Sequence, residues 1–231
     1  MGKYFGTDGF RGEANVDLTV EHAYKVGRYL GWYYSQNGKA KVVIGKDTRR
    51  SSYMFEYALV SGLTASGADV YLLHVTTTPS VSYVVTSEEF DCGIMISASH
   101  NPYYDNGIKI LDGNGHKMDA GVENLIEQYI DGLIDELPYA TKDEIGCALD
   151  YSIGRNRYIG YLMSIPTRAF RNYRVGLDCA NGASSAIAKS VFDALGAKTY
   201  VINSDPDGLN INTNCGSTHI EVLQQYVKEN A

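Results

Sequence analysis

The sequence alternates short apolar runs with amphipathic segments, and one such unit constrains the fold most strongly. Residues 41–45 and residues 70–75 are short runs rich in β-branched side chains. Between them, apolar side chains recur at helical spacing until Gly67 ends the pattern. A strand, a helix and a second strand in this order favour two parallel strands joined by a crossover helix.

The same pattern recurs later in the chain. Residues 173–180 and 198–202 are predicted strands, and the helix between them is predicted to end at Gly196. We therefore predict an α/β fold with two similar three-layer α/β/α domains and mixed, mostly parallel sheets. Residues 138–150 show little periodicity, which predicts a domain boundary near their end and domains of 1–150 and 151–231.

Composition excludes several classes of function. The chain has 231 residues, a formal net charge of -7 and a pI near 5.2, which argues against general nucleic-acid binding. The four cysteines are widely separated without a Cys-x-x-Cys pair, so neither a zinc site nor a disulfide framework is predicted. No apolar run approaches membrane-spanning length and no signal segment is evident, which predicts a cytoplasmic protein without membrane contact.

A buried strand that ends in a polar loop carries the clearest chemical signal. Residues 93–98 are mostly apolar, and Ser99 and His100 follow them directly before Asn101-Pro102. Proline lacks an amide proton and restricts the residue before it, so the hydroxyl of Ser99 is presented on a loop. His100 offers proton transfer near neutral pH, and Lys109, on the next apolar run, offers a positive charge.

The amino-terminal segment is a second candidate for ligand contact. Residues 6–12 read Gly-Thr-Asp-Gly-Phe-Arg-Gly, and three glycines in seven residues permit tight turns and close approach of the backbone to a ligand. Arg11 lies at this corner, where it contacts either a phosphate group or solvent.

These motifs together resemble those of a known family. Ser97-Ala-Ser-His-Asn-Pro with Asp105-Asn-Gly-Ile-Lys is similar to the phosphoserine loop of the α-D-phosphohexomutases. Residues 4–12 resemble the opening of the phosphoglucosamine mutase branch of that family. The resemblance extends over the whole chain.

The resemblance implies an isomerase that transfers phosphate within a phosphosugar. Phosphorylated Ser99 would donate its phosphoryl group to a hexosamine phosphate and recover the other phosphate from the bisphosphate intermediate. Arg11 and Lys109 would bind substrate, and Lys109 or His100 would serve as general acid and base, with Lys109 ranked first. A lysine base needs a lowered pKa, to which Arg11 can contribute through like-charge repulsion.

The resemblance also implies parts that this sequence does not contain. The family holds Mg²⁺ with an Asp-x-Asp-x-Asp-Arg loop, which is absent here, so Ser99 would contact the metal through its phosphate. A third domain that recognises the sugar and a fourth that binds its free phosphate are also expected in the family. We therefore expect a two-domain fragment with an incomplete second domain, inactive by itself, whose open sheet edge pairs with another chain, such as a second copy, or invites aggregation.

Three alternatives remain open. A phosphomannomutase or phosphoglucomutase shares the serine loop, and a non-catalytic chain that binds only phosphate or a partner is also consistent with the sequence. A serine hydrolase using Ser99 and His100 is disfavoured, because adjacent residues on an extended segment point in opposite directions and no Gly-x-Ser-x-Gly elbow is present.

Other segments give local expectations. Thr19 is predicted to cap one helix and Ser51 or Ser52 the next, and a helix beginning at Asp119 is predicted to carry Leu133 on its apolar face. Lys46, Arg49 and Arg50 either contact a phosphate or belong to a capping loop with a solvated face, and the solvated loop is favoured because no other candidate group converges there. Asp178 and Asn181 follow a strand, where they serve either a ligand or the loop itself, and residues 205–219 are predicted to form an ordered loop without a cation.

Overall fold

The computed structural model describes residues 2–230 and shows strands and helices that alternate along the chain. The strands are β1 (Phe5–Gly6), β2 (Gly9–Glu13), β3 (Lys41–Lys46), β4 (Asp69–Val75), β5 (Cys92–Ile96), β6 (Asp105–Asp112), β7 (Ala148–Asp150), β8 (Arg174–Asp178) and β9 (Lys198–Ile202). The helices are α1 (Val20–Tyr34), α2 (Arg50–Ala65), α3 (Thr78–Ser87), α4 (Ala120–Ile130), α5 (Ser152–Ser164), α6 (Ala188–Ala194) and α7 (Ile220–Asn230).

The larger sheet has seven strands in the order β1-β2-β6-β5-β3-β4-β7. The pairs β5-β3, β3-β4 and β4-β7 are parallel, whereas β1-β2, β2-β6 and β6-β5 are antiparallel. The carboxyl ends of β3 and β5 therefore lie side by side. This adjacency brings the loop after Lys46 next to the loop that contains Ser99.

Helices cover both faces of this sheet. One core packs α1, α2 and α4 on side chains such as Ile94, Ile96 and Ile108. A second core packs α3 on the opposite face, against Val43 and Met95. Successive side chains of a strand point to opposite faces, so β3, β4, β5 and β6 each contribute to both cores. The sheet is thus the middle layer of a three-layer α/β/α structure, as predicted.

The smaller sheet repeats the crossover unit at reduced size. Strands β8 and β9 are parallel and form a two-stranded sheet within residues 2–230. Helix α7 covers one face of this sheet, where its side chains pack over Gly176. Helix α6 lies on the other face, where Asp193 accepts a hydrogen bond from the Thr199 hydroxyl. The predicted repeat is confirmed, and both its helices end before glycines with positive φ, Gly67 at 97° and Gly196 at 92°.

The region around the predicted domain boundary contacts the larger sheet and helix α6. Strand β7 pairs with β4 at the edge of the larger sheet. Helix α5, which follows directly, stacks Tyr158 and Tyr161 near Tyr83 of α3, and also contacts α6. A boundary after Asp150 stays a prediction.

Two of the three local helix predictions were wrong. Thr19 caps α1 as predicted, in a capping box with His22. Neither Ser51 nor Ser52 caps α2, whose N-cap residue is Arg49; Ser52 instead donates to Asp47, 2.8 Å away.

Helix α4 is shorter than predicted. It ends at Ile130, and Leu133 is 74% exposed. Gly132 takes a φ of 72° while the Leu133 amide donates back to the Gln128 carbonyl, which is a Schellman ending. The glycine overrides the apolar periodicity.

Within residues 2–230, no helix combines the length and the apolar character that a bilayer crossing requires.

Candidate active site

The Ser99 loop leaves β5 in an unusual backbone conformation. Ser99 has a φ of 56°, in the left-handed region that residues with a Cβ seldom occupy. The Ser97 hydroxyl accepts the Ser99 amide at 3.0 Å, and the Asn101 amide donates to the Ala98 carbonyl at 3.1 Å. These bonds close a tight turn, and Ser99 is exposed at it. The expected presentation of the hydroxyl is consistent with this geometry.

Arg11 and Lys109 lie on the same face of the larger sheet. Strand β2 pairs with β6 so that Phe10 is opposite Ile108 and Arg11 is opposite Gly107. Because Phe10 and Ile108 both enter the α1 core, Arg11 and Lys109 both project to the other face, as diagonal neighbours.

Gly107 gives Arg11 room to cross this surface. A Cβ at Gly107 would lie 2.9 Å from both Arg11 Cγ and the Ser97 carbonyl oxygen. The backbone link to the serine loop is also direct, since the Ser97 amide donates to the Gly107 carbonyl at 2.9 Å. Arg11, the glycine and the start of the serine loop therefore lie next to one another.

The pKa of Lys109 is lowered in this environment. Burial of the half-buried ammonium group is the main cause, and the nearby positive charge of Arg11 is the next. Asp8 and Asp47 act in the opposite direction, and Arg49 adds a further lowering effect. The lowered pKa agrees with the requirement stated for a lysine base, although burial contributes more than the charge of Arg11.

Arg11 keeps donors available for a ligand. One guanidinium nitrogen lies 3.3 Å from the carboxylate of the exposed Asp8. Its Nε atom is buried and has no hydrogen-bond partner among the described residues. A buried donor without a partner is costly. An anionic oxygen bound at this position would satisfy it.

The charged loop after β3 is buried in part, contrary to the sequence-based prediction. Arg49 and Lys46 are 0% and 2% exposed, so the prediction of a solvated charged loop was wrong for both, whereas Arg50 is exposed. The Nη2 atom of Arg49 donates to the Asn101 carbonyl at 2.6 Å and to the Ser99 carbonyl at 3.3 Å. Arg49 also forms an ion pair with Asp47. The guanidinium of Arg49 therefore binds the backbone of the serine loop instead of solvent.

The second unit reaches the same loop through Asn212. Its Nδ2 atom donates to the Ser99 and Asn101 carbonyls, each at 2.9 Å. Further bonds join the two units nearby, from the Thr48 hydroxyl to the Asn181 carbonyl at 2.7 Å and from the Arg50 amide to the Gly208 carbonyl at 3.2 Å. Residues 205–219 therefore form an ordered loop that also touches the candidate site.

Asp178 and Asn181 serve the loops of the second unit. The Asp178 carboxylate accepts from the Ala180 and Gly216 amides and from the Asn203 side chain, at 2.8–3.1 Å. Asn181 is buried, and its Oδ1 atom accepts the Asp205 amide at 3.1 Å. These contacts favour a structural role for Asp178 and Asn181 over a role in ligand binding.

His100 is not drawn into the cluster. Its side chain is exposed, and within residues 2–230 its ring makes no hydrogen bond or ion pair. The part of the chain that the structure describes also contains no group of three or more His, Cys, Asp or Glu side chains that could hold a metal ion. The surroundings of Ser99 are thus cationic and amide-rich.

Sequence reasoning missed Arg49 and Asn212. A signal for Arg49 existed, because it lies just after a parallel strand, and ligands in open α/β sheets bind where such strands end. For Asn212 the sequence held no comparable signal, because it lies in a long polar loop far from Ser99 in the chain.

Comparisons with known proteins identify the relatives of this chain. The family model described as phosphoglucomutase/phosphomannomutase, alpha/beta/alpha domain I, matches residues 2–135. The phosphoglucosamine mutase of Lachnoclostridium phytofermentans is 72% identical over 229 residues, which cover 99% of this chain and 51% of that protein. The chain spans about half the length of the curated relatives it matches.

Solved structures show the same architecture. A phosphoglucomutase/phosphomannomutase family protein from Burkholderia thailandensis superposes with a TM-score of 0.81 at 25% identity, covering 98% of this chain and 49% of that one. An Aspergillus fumigatus N-acetylphosphoglucosamine mutase, solved with GlcNAc-6P and magnesium, has a TM-score of 0.51 at 15% identity, covering 96% of this chain and 45% of that one. From the domain match over residues 2–135, the chain belongs to the phosphoglucomutase/phosphomannomutase family.

Proposed function

We propose that this chain supplies the phosphoserine-bearing half of a phosphoglucosamine mutase, an intramolecular phosphotransferase that interconverts glucosamine 6-phosphate and glucosamine 1-phosphate. The observation that carries the proposal is the exposed Ser99, held in a left-handed turn beside the sheet face of Arg11 and Lys109. The 72% identical relative bears this name, which supports the choice of sugar.

The reaction needs one phosphoryl group to leave Ser99 and one to return. In the first step the bond from phosphorus to Ser99 Oγ breaks as phosphorus bonds to a hydroxyl oxygen of the hexosamine phosphate, giving the bisphosphate. The sugar hydroxyl loses a proton, and Ser99 Oγ gains one. The second step reverses these changes at the other phosphate of the reoriented sugar, which leaves Ser99 phosphorylated again.

Lys109 is our first candidate for moving the proton, and Arg11 for binding phosphate. The lowered pKa of Lys109 increases the neutral fraction that can accept a proton near neutral pH. Arg11 holds a buried, unpartnered Nε–H, and a phosphate oxygen is a suitable acceptor for it. Positive charge beside the transferring group stabilises charge on its oxygens, which is the main demand of phosphoryl transfer. His100 remains the second candidate for the proton.

Mg²⁺ is the cofactor we propose for the whole protein, where it would neutralise charge on the transferring phosphoryl group. The described residues do not fit a complete site for it, because no cluster of carboxylates lies among them. This chain would contribute through the phosphate on Ser99. The fungal structural neighbour, which contains magnesium, supports the choice of metal.

The test is a chimera in which residues 1–231 replace the corresponding half of the L. phytofermentans relative. We expect the chimera to convert glucosamine 6-phosphate to glucosamine 1-phosphate with Mg²⁺ present, and Ser99→Ala to abolish this turnover. A cooperatively folded chimera that is inactive beside an active parent would contradict the proposal.

The same assay separates the alternatives. Faster turnover of mannose or glucose phosphates would identify a phosphomannomutase or phosphoglucomutase. Binding of phosphosugar without turnover would indicate the non-catalytic role. The serine hydrolase has little support, because Ser99 and His100 form no hydrogen bond with each other within residues 2–230.

Location and association complete the proposal. A phosphosugar substrate agrees with the cytoplasmic location predicted from the sequence. The edges of the β8-β9 sheet are unpaired within residues 2–230, so the proposed edge association, with a second copy or another chain, has a surface available to it.

A further inference from the structure

The conformation of Ser99 needs support from its surroundings. A φ of 56° is disfavoured for a residue with a Cβ, and such conformations persist when neighbouring groups fix them. The exposed Ser99 side chain makes no hydrogen bond within residues 2–230 that would do so. The carbonyl oxygens of Ser99 and Asn101, in contrast, are both bound from two directions.

Arg49 binds these carbonyls from the first unit. Its fully buried guanidinium reaches the Asn101 carbonyl at 2.6 Å, the Ser99 carbonyl at 3.3 Å and the Pro102 carbonyl at 3.4 Å. Asp47 fixes the guanidinium through an ion pair with Nη1 and also accepts the Arg49 amide at 3.0 Å. The donors of this arginine are thus directed to backbone carbonyls and Asp47.

Asn212 binds the same carbonyls from the second unit. Its Nδ2 atom lies 2.9 Å from each, and its own backbone is held by a bond from its amide to the Ala180 carbonyl at 2.9 Å. Two residues that are 163 positions apart therefore share two acceptors on one turn. Both units therefore donate hydrogen bonds to this turn, in addition to the bonds within the loop itself.

We propose that Arg49 and Asn212 are positioning residues that clamp the Ser99 turn between the two units. This inference rests on the proposed function, in which Ser99 carries the phosphoryl group. Both residues act through the backbone of the loop, so their role is to fix the Ser99 hydroxyl relative to Arg11 and Lys109. Small errors in such positioning lower transfer rates strongly.

The sharpest test is Asn212→Asp, which keeps the shape of the side chain and replaces the Nδ2 donor with an acceptor that repels both carbonyls. Arg49→Lys keeps the charge but loses the fork of donors. The matched control is Asn210→Ala in the same loop, because the Asn210 side chain bonds only within residues 205–210. Each variant is made in the 231-residue chain for the exchange measurements and in the chimera for the rate measurements.

Amide hydrogen exchange and the ¹³C shifts of Ser99 give the first readout, and neither requires activity. We expect the Asn101 amide to exchange about tenfold faster in Asn212→Asp, as on losing one or two hydrogen bonds of ordinary strength. The Ser99 shifts should leave their left-handed values, while the Ile94 amide in β5 stays protected. Unchanged exchange and shifts, or a uniform rise that includes Ile94, would overturn the clamp.

The second readout is the rate at which glucosamine 1,6-bisphosphate phosphorylates Ser99 in the chimera that carries each substitution, with Mg²⁺ present. We expect this rate to fall about 10- to 100-fold in Asn212→Asp and in Arg49→Lys, while Asn210→Ala keeps the wild-type rate. Absence of phosphorylation in the chimera without these substitutions would contradict the proposed function but not the clamp. Wild-type rates in both variants would overturn the clamp alone.

Discussion

Glu127 anchors the amino-terminal segment that leads to Arg11, and replacing it tests how that segment is held. Its buried carboxylate accepts three backbone amides, with Oε1 bonding Tyr4 and Phe5 at 2.7 Å and Oε2 bonding Lys3 at 2.9 Å. These residues lead into β1, which pairs with β2, the strand of Arg11. Loss of the anchor should therefore loosen the arginine as well.

The expected loss in the free energy of unfolding follows from the number of hydrogen bonds that each substitution removes. In Glu127→Gln the amide oxygen can keep the Tyr4 and Phe5 bonds, but the amide nitrogen faces the Lys3 amide and cannot accept from it. One hydrogen bond to a charged group contributes about 1.5–3 kcal/mol, so we expect a loss of this size. Glu127→Ala removes all three bonds, and we expect about 3–5 kcal/mol, less than the sum because water reaches the part-exposed amides.

Urea unfolding of the chain and amide exchange at residues 3–5 measure the effect. The matched control is Glu144→Gln, since the Glu144 side chain is exposed and makes no hydrogen bond or ion pair within residues 2–230. A Glu127→Gln variant that unfolds at the same urea concentration as this control, with unchanged exchange at residues 3–5, would refute the reasoning.

Acid provides an independent check of the same anchor. Burial alone would raise the pKa of Glu127, but the amides of Phe5, Tyr4 and Lys3 outweigh it and lower the pKa below the ordinary 4.5. A carboxylate with a lowered pKa stabilises the folded state fully above its ordinary value. That stabilisation is lost as the pH falls from about 4.5 through the folded-state value. Glu127→Gln should remove this part of the acid dependence.

Three further predictions concern the site, a buried ion pair and the open sheet edge. The pKa of Lys109, measured from its ¹³Cε resonance, should rise in Arg11→Gln, which removes a like charge, and fall in Asp8→Asn, which removes an opposite one; shifts of the same sign would contradict the electrostatic account. In the buried Lys46–Glu56 ion pair, Glu56→Ala should cost about 3–5 kcal/mol in urea unfolding, and Lys46→Met with Glu56→Leu should recover most of it; an equal loss in the double variant would refute the isolated charge as the cause. Sedimentation of the 231-residue chain should show association that increases with concentration, and Val201→Lys on β9 should reduce it. A monomer at all concentrations would contradict the predicted association through the sheet edge.

The fold was predictable where local signals and tertiary structure agree. Both crossover units follow from short β-branched runs separated by helical periodicity, and glycines at 67 and 196 end the helices as expected. The exposed position of Ser99 follows from a buried strand that runs into Asn-Pro. The shared face of Arg11 and Lys109 required the pairing of β2 with β6, which the sequence does not specify.

The errors come from contacts between distant residues. Arg49 was interpreted as solvated because its partners on the Ser99 loop lie about 50 residues away, and only the adjacency of β3 and β5 buries it. Asn212 depends on how the second unit docks, which no periodicity records. Ser52 fits the profile of a helix cap, yet Asp47 and Asn106 bind its hydroxyl instead. Local propensity was overridden by packing in each case.

The central claim is that Ser99 carries the phosphoryl group, and mass spectrometry tests it most directly. The chimera would be incubated with glucosamine 1,6-bisphosphate and Mg²⁺, its intact mass measured, and the peptide across residues 93–109 mapped. The account predicts the addition of one phosphoryl group, located on Ser99 and absent in Ser99→Ala. Phosphate on another residue, or none on Ser99 in an active chimera, would contradict it.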